Sequence, residues 1–270
     1  MTRTALIAGQ GALPGILARA MADAGAPPLV AGLAGSEPDL PGAILFRIER
    51  LVPFLDRLVA DGVTQVVFAG AVRRPAMDPE MFDPRTAQLV PALLRDMAKG
   101  DDAALRAILG LFEDWGLRVV GADTVAPDLV PGPGRLAGTP TPADEADTAR
   151  AAEIVAGLGA LDLGQGAVVA QGLCLAVETL PGTDAMLDFV ARHQGLRPDP
   201  RGARGVLYKA PKPGQDRRVD LPTLGPGTVE RAARAGLAGI AWQAGGALLL
   251  DRAATVAAAE AAGLFLWSRP

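Results

Sequence analysis

Between Thr4 and Val120, short apolar runs that suit buried strands take turns with amphipathic stretches that suit helices, and this alternation limits the fold more than any other feature. Thr4–Ala8 (TALIA), Leu29–Leu33, Ala43–Ile48, Gln65–Ala69 (QVVFA) and Leu117–Val120 read as strands. Leu13–Ala24, Val52–Ala60, Thr86–Met97 and Ala103–Trp115 read as helices, with Leu13, Ile16, Leu17 and Met21 sharing one face of the first. Strands joined through helices need right-handed crossovers, and the product is a largely parallel sheet covered on both faces. The expected class is α/β, with an N-terminal Rossmann-like parallel-sheet domain over 1–126. The stretch 127–142 (PDLVPGPGRLAGTPTP) is dense in Pro and Gly, has no period, and reads as a linker. Residues 143–270 then mix helical segments with short strands such as GAVVA and LCLAV, as a separate mixed α/β C-terminal domain expected to hold the catalytic groups.

Composition narrows the chemistry. Half of the 270 residues are hydrophobic, which supplies a core and excludes a disordered chain. A formal net charge of −4 argues against a nucleic-acid partner bound through bulk charge. One cysteine, Cys174, excludes an intrachain disulfide and fits a reducing compartment. With His193 as the one histidine, neither a tetrahedral zinc site nor a His-rich di-metal cradle can be assembled. Metal chemistry here must use oxygen ligands, which points to Mg2+, with Mn2+ as a substitute. The N-terminal apolar run breaks at Gly9, too early for a signal peptide. Arg234, Gln243 and several glycines interrupt the most apolar long window, Ala232–Leu250. The expected location is cytoplasmic, with peripheral contact at the inner membrane left open.

Glycine-bearing loops fall at strand ends. In IAGQGALP, Gly9, Gln10, Gly11 and Ala12 join the first strand to the first helix, where backbone N–H groups can hold a phosphate oxygen. Pro14 stands where a dinucleotide fingerprint has its third glycine, and no acidic residue closes the second strand, so NAD is not expected. The turn is either a phosphate- or sugar-binding loop or a plain strand-to-helix connection. FAGAVRRP follows the most apolar strand and offers Gly70 and Ala71 beside Arg73 and Arg74. In KGDDAALR, Lys99, Asp101 and Asp102 cluster at a helix start; capping accounts for one aspartate, and the rest of the cluster leaves a substrate-binding role open. The C-terminal half carries DLGQGAVV with Gln165 and Gly166, VETLPGTDAM with Glu178, Thr183 and Asp184, and YKAPKPGQDRRVDLPTLG with Lys209, Lys212, Gln215, Asp220 and Thr223. Carboxylates there are hard metal ligands and the lysines are point charges suited to phosphate.

These motifs together, in order from Ile7 to RAARAGLAGI ending at Ile240, resemble the bacterial UDP-2,3-diacylglucosamine pyrophosphatases of lipid A biosynthesis, the magnesium-dependent family unrelated to calcineurin-like metallophosphoesterases. The resemblance implies hydrolysis of UDP-2,3-diacylglucosamine to UMP and 2,3-diacylglucosamine 1-phosphate (lipid X), with the lipid-linked nucleotide sugar held between two domains. It implies that the essential aspartate of the VDLPT motif is Asp220, as metal ligand or as general base. Chemistry and motif membership add Lys209 and Lys212 as phosphate-facing catalytic groups and Glu178 as a second metal ligand. The substrate-binding set is Gly9, Gln10, Gly11, Ala12, Gly70, Ala71, Lys99, Asp101, Asp102, Gln165, Gly166, Thr183, Asp184, Gln215 and Thr223. A homodimer stays open. The competing readings are a hydrolase of a water-soluble nucleotide sugar and a non-catalytic nucleotide- or sugar-phosphate-binding module. His193 is expected at the surface end of a helix, Cys174 in the core.

Overall fold

The computed structural model describes residues 2–72, 77–97 and 101–270. The chain divides into two compact units, Met1–Pro127 and Asp128–Pro270.

In the first unit, β1 (Thr4–Ala8), α1 (Leu13–Asp23), β2 (Leu29–Leu33), β3 (Ile44–Phe46), α2 (Leu51–Ala60), β4 (Gln65–Ala69), α3 (Pro84–Met97), α4 (Asp101–Asp114), β5 (Arg118–Val120) and the short α5 (Ala122–Val125) follow in order. The sheet has the order β3-β2-β1-β4-β5, and all four pairings are parallel. Ala5, Leu6, Val66 and Val67 are fully buried, as the unbroken apolar runs of a doubly covered sheet require. The strand order reverses between β1 and β4, so the loops after these strands flank the crevice where open α/β sheets bind ligands.

Those two loops are stitched together. Gly9 N–H donates to the Ala69 carbonyl at 2.8 Å, and Gln10 and Ala71 exchange both backbone bonds at 2.8 and 2.9 Å. Gly70 sits at φ +90°, and a Cβ there would lie 2.7 Å from the Gln10 oxygen and 2.8 Å from Pro14 Cγ. Its missing side chain therefore serves the crossing of two main chains. Gly11 (φ +99°) has nothing within 4 Å of its Cβ position. Gly70→Ala should thus combine left-handed strain with overpacking and destabilise by about 3 kcal/mol, against about 1 kcal/mol for Gly11→Ala. Urea unfolding of both variants checks this; equal midpoints would contradict the packing argument.

The second unit contains β6 (Gly134–Ala137), α6 (Pro142–Ala160), β7 (Gly166–Ala170), β8 (Leu173–Val177), α7 (Gly182–Arg192), β9 (Val206–Lys209), β10 (Thr223–Leu224), α8 (Pro226–Arg234), β11 (Gly239–Gln243), β12 (Leu248–Leu249), α9 (Arg252–Ala261) and β13 (Phe265–Arg269). A six-stranded mixed sheet runs β6-β13-β11-β9-β7-β8, and β10 pairs with β12 in a small parallel ribbon. β9, β11 and β13 are parallel, whereas β6, β7 and β8 enter antiparallel. Strand alternation splits the core: Val168, Leu207, Trp242 and Leu266 belong to one cluster with Met186 and Leu187 of α7, and Ala167, Val169, Val206 and Tyr208 to another with Ala151 and Val155 of α6.

The expected linker is corrected here. Gly134–Ala137 lies inside 127–142 and pairs antiparallel with β13 as an edge strand. The prolines of that stretch fall outside the four residues of the strand, which is where a sheet tolerates them. Thr141 then caps α6, accepting from Asp144 N–H while the Asp144 carboxylate accepts from Thr141 N–H.

Candidate functional site

The chemistry-bearing residues of the second unit gather at the end of the sheet where β9 finishes and β7 begins. Lys209 is the last residue of β9 and pairs in register with Gly166, the first of β7. Glu178, just past β8, donates its N–H to the Gly166 carbonyl at 2.8 Å. Gly166 therefore lies between a lysine and a glutamate on neighbouring strands, and having no side chain it lets them meet. Lys209 Nζ stands 3.2 Å from Glu178 Oε2 and donates to Thr183 Oγ1 at 2.5 Å. Lys209 and Glu178 are only 3% and 8% exposed. Glu178 Oε2 makes no hydrogen bond of its own, so its hold on the ammonium is electrostatic and a hard acceptor remains at the site.

Both glycines of LGQG serve this glutamate. A Cβ on Gly166 would come within 2.5 Å of Glu178 Oε2, and one on Gly164 would collide with the Glu178 carbonyl oxygen. Gln165 between them accepts the Ala210 N–H through its main chain at 3.1 Å, while its side-chain Oε1 is buried without a hydrogen-bond partner.

The loop after β9 builds a second cluster. Gln215 is 8% exposed; its Oε1 accepts the Lys212 N–H at 2.8 Å and its Nε2 donates to Asp220 Oδ2. Lys212 Nζ pairs with Asp162 Oδ1 at 2.5 Å, which ties this loop to the turn after α6. Asp162 has φ +55°, in the left-handed region that aspartate tolerates better than most residues. Within the loop, the Arg218 guanidinium bonds both oxygens of Asp216.

Other expected residues fall elsewhere. Gly9, Gln10, Gly11 and Ala12 meet Gly70 and Ala71 in the first unit, but the N–H groups of Gly9 and Gln10 are occupied by strand-loop carbonyls. Anything docking there has the N–H groups from Gly11 onward. Asp184, in the first turn of α7, pairs with Arg231 Nε at 3.2 Å on the protein surface. Thr223 opens β10 and bonds the Leu221 carbonyl at 3.4 Å. Asp101 and Asp102 open α4, and Lys99 lies outside the described residues, as do Arg73 and Arg74. Cys174 is not a core residue: it lies exposed on edge strand β8, its Sγ donates to the Ala176 carbonyl, and partial desolvation pushes its pKa up. A thiol tuned in that direction is a poor nucleophile. Burial likewise raises the Tyr208 phenol. His193 ends α7 at the surface, with Nδ1 2.7 Å from the Phe189 carbonyl and its ring stacked on Phe189.

Among the described residues no group of three or more His, Cys, Asp or Glu side chains forms a metal cluster. Mg2+ is commonly held by one or two carboxylates, with water and substrate phosphate completing the shell. The hydrogen-bond-free Glu178 Oε2 and the Asp220 carboxylate match that oxygen-only donor set.

Two family models account for nearly the whole chain. The LpxI N-terminal domain matches residues 3–129 and the LpxI C-terminal domain matches residues 133–267. The chain belongs to the LpxI family. A relative named UDP-2,3-diacylglucosamine pyrophosphatase LpxI, from Caulobacter vibrioides, is 44% identical over 272 residues, covering 98% of this chain and 97% of its own. Both clusters around Lys209 and Asp220 lie inside the LpxI C-terminal match, and the stitched glycine loops inside the N-terminal one. Asp162 and Gly164 also belong to this candidate site, although the sequence reading did not single them out. Their signal was the LDLGQG run itself, whose aspartate and first glycine take up a turn and a close main-chain approach. Among the described residues, no helix is long and apolar enough to cross a membrane.

Proposed function

We propose that this chain is a hydrolase that cleaves the diphosphate of UDP-2,3-diacylglucosamine, releasing UMP and 2,3-diacylglucosamine 1-phosphate. The single observation that carries this reading is 44% identity, over 98% of the chain, to a pyrophosphatase whose name states that substrate. The geometry supports it. Hydrolysis of a phosphoanhydride asks for positive charge on the phosphoryl oxygens and for a positioned water. Lys209, held by Thr183 and Glu178, and Lys212, on the adjoining loop, are placed to take up charge as the P–O–P bridge breaks. Asp220, held by Gln215, accepts a proton from the attacking water, whose oxygen becomes part of the phosphate it forms. Asp220 and Glu178 would be the residues to hold Mg2+, which would supply charge neutralisation to the diphosphate. The acyl-bearing half of the substrate would find apolar side chains close by. Leu163 adjoins Gly164, Leu180 lies two residues beyond Glu178, and they are 53% and 96% exposed. Peripheral contact with the inner membrane, where such a lipid resides, follows from the same reading.

Mass spectrometry of products formed in heavy-oxygen water tests it. With Mg2+, UDP-2,3-diacylglucosamine should give UMP and the lipid 1-phosphate, one of them labelled; EDTA should stop the reaction, and UDP-N-acetylglucosamine should react far more slowly. Equal turnover of both substrates would favour a hydrolase of soluble nucleotide sugars. No UMP from either would favour a binding module.

A further inference from the structure

Leu161, Leu163 and Leu180 are 71%, 53% and 96% exposed. They ride on two turns whose main chains touch, since Gly164 lies against the Glu178 carbonyl. The Cα atoms of Leu163 and Leu180 are therefore no more than about 17 Å apart. Both turns are closed by main-chain bonds. At the end of α6, Leu163 N–H returns to the Leu158 carbonyl at 3.0 Å and Asp162 N–H to the Gly159 carbonyl at 3.1 Å. With Asp162 at φ +55°, this is the paired closure through a left-handed residue, after which an apolar side chain commonly folds back onto the helix. Leu163 stays half-exposed instead. In the other turn Gly182 N–H donates to the Thr179 carbonyl at 2.8 Å, and Pro181 stiffens the corner beside Leu180. Leucines carried outward on closed turns lose little further backbone freedom on meeting a partner. The carboxylates that flank them are matched by cations: Asp162 by Lys212 at 2.5 Å, Glu178 by Lys209 at 3.2 Å and Asp184 by Arg231 at 3.2 Å. None of the three therefore presents an unmatched negative charge to lipid phosphates.

We infer that Leu161, Leu163 and Leu180 form a docking tip that seats the second unit on a phospholipid bilayer. This rests on the proposed substrate, a lipid that resides in such a bilayer, and names the side chains that bring the protein to it. The occupant is a membrane rather than the substrate's acyl chains alone, because the exposed stretch runs back to Leu161, beyond the residues that adjoin the Lys209–Glu178 pair. Glu178 stands two residues before Leu180, so a docked tip holds the groups proposed to meet the diphosphate close to the headgroups. Interfacial binding scales with the apolar area inserted, and exchanging one inserted leucine for a charge costs about tenfold in partition.

Sedimentation of the whole chain with vesicles of mixed phosphatidylethanolamine and phosphatidylglycerol, without substrate, reads the docking directly. The parent should pellet with the vesicles. Leu161→Asp and Leu180→Asp should each lower the partition coefficient about tenfold, and the double variant about 100-fold. Because these side chains sit in solvent, thermal melts of the variants should match the parent. Should an aspartate variant fail to fold, the double exchange Leu161→Ser with Leu180→Ser decides. A double variant that partitions like the parent would overturn the inference, as would a parent that stays in the supernatant. Light scattering covers a second copy of the chain as the occupant: a parental dimer that the double variant dissolves would overturn docking to lipid. Failure of the substrate reading shows separately. Absence of UMP from detergent-dispersed UDP-2,3-diacylglucosamine, beside intact and leucine-dependent vesicle binding, would sink that reading and leave the docking tip in place.

Discussion

Asp220→Ala is expected to lower kcat by at least ~1,000-fold while substrate affinity, measured by calorimetry, stays close to that of the parent. The carboxylate is bonded to Gln215 on a loop braced by the Lys212–Asp162 ion pair and by Arg218 on Asp216, so its removal leaves the loop's other ties in place. Binding energy from the uridine, sugar and acyl groups does not pass through this side chain, and an interaction made chiefly in the transition state shows in kcat. The check is a pair of measurements on one preparation: single-turnover UMP release and binding of the intact substrate. A variant turning over within tenfold of the parent would remove Asp220 from the mechanism.

The second large effect concerns a glycine. Gly166→Ala places a Cβ 2.5 Å from Glu178 Oε2, at the far end of a side chain that can swing, with Met186 Cε 3.5 Å away. The fold should survive because the glutamate yields, but it yields by leaving Lys209. The lysine is then a nearly buried ammonium with its 3.2 Å carboxylate partner displaced. Uncompensated charges in such places are costly, and Lys209 is expected to re-aim or to draw in water. Activity should fall about 10–100-fold with a modest loss of stability. Gly164→Ala meets the main-chain oxygen of Glu178, which cannot swing, so its effect should appear first in stability, about 1–3 kcal/mol. Melting curves and kcat for the two variants distinguish a glycine that seats a carboxylate from one that clears a backbone. If Gly166→Ala kept full activity, the Lys209–Glu178 pair would have no part in turnover.

Much of this was legible in the chain. The alternation from TALIA to the run ending at Val120 predicted a parallel sheet, because strands buried on both faces must be apolar throughout. The motif residues Lys209, Glu178, Thr183 and Gly166 were singled out by chemistry, yet their contact was not readable. It depends on the register of β7 between β8 and β9, and a slip of one residue would send every side chain to the opposite face. The same limit explains Cys174. LCLAV reads as a buried run, but β8 is the sheet's last strand and has a neighbour on one side only, which exposes Leu173 and Cys174. Strand β6 was hidden for a different reason: four residues among prolines carry no periodic signal, and the strand exists because β13 offers it an edge. Gly70 shows that a glycine at a strand end can serve main-chain crossing as well as ligand access, a distinction only the neighbouring loop reveals.

The account holds that the diphosphate of the lipid-linked nucleotide sugar lies against Lys209 and Asp220 at the β9 end of the second sheet. A crystal structure of the Asp220→Ala protein with UDP-2,3-diacylglucosamine bound tests this most directly. Phosphoryl oxygens within hydrogen-bond reach of Lys209 Nζ and of the vacated carboxylate position are the predicted result. A diphosphate seated on residues of neither cluster would contradict it.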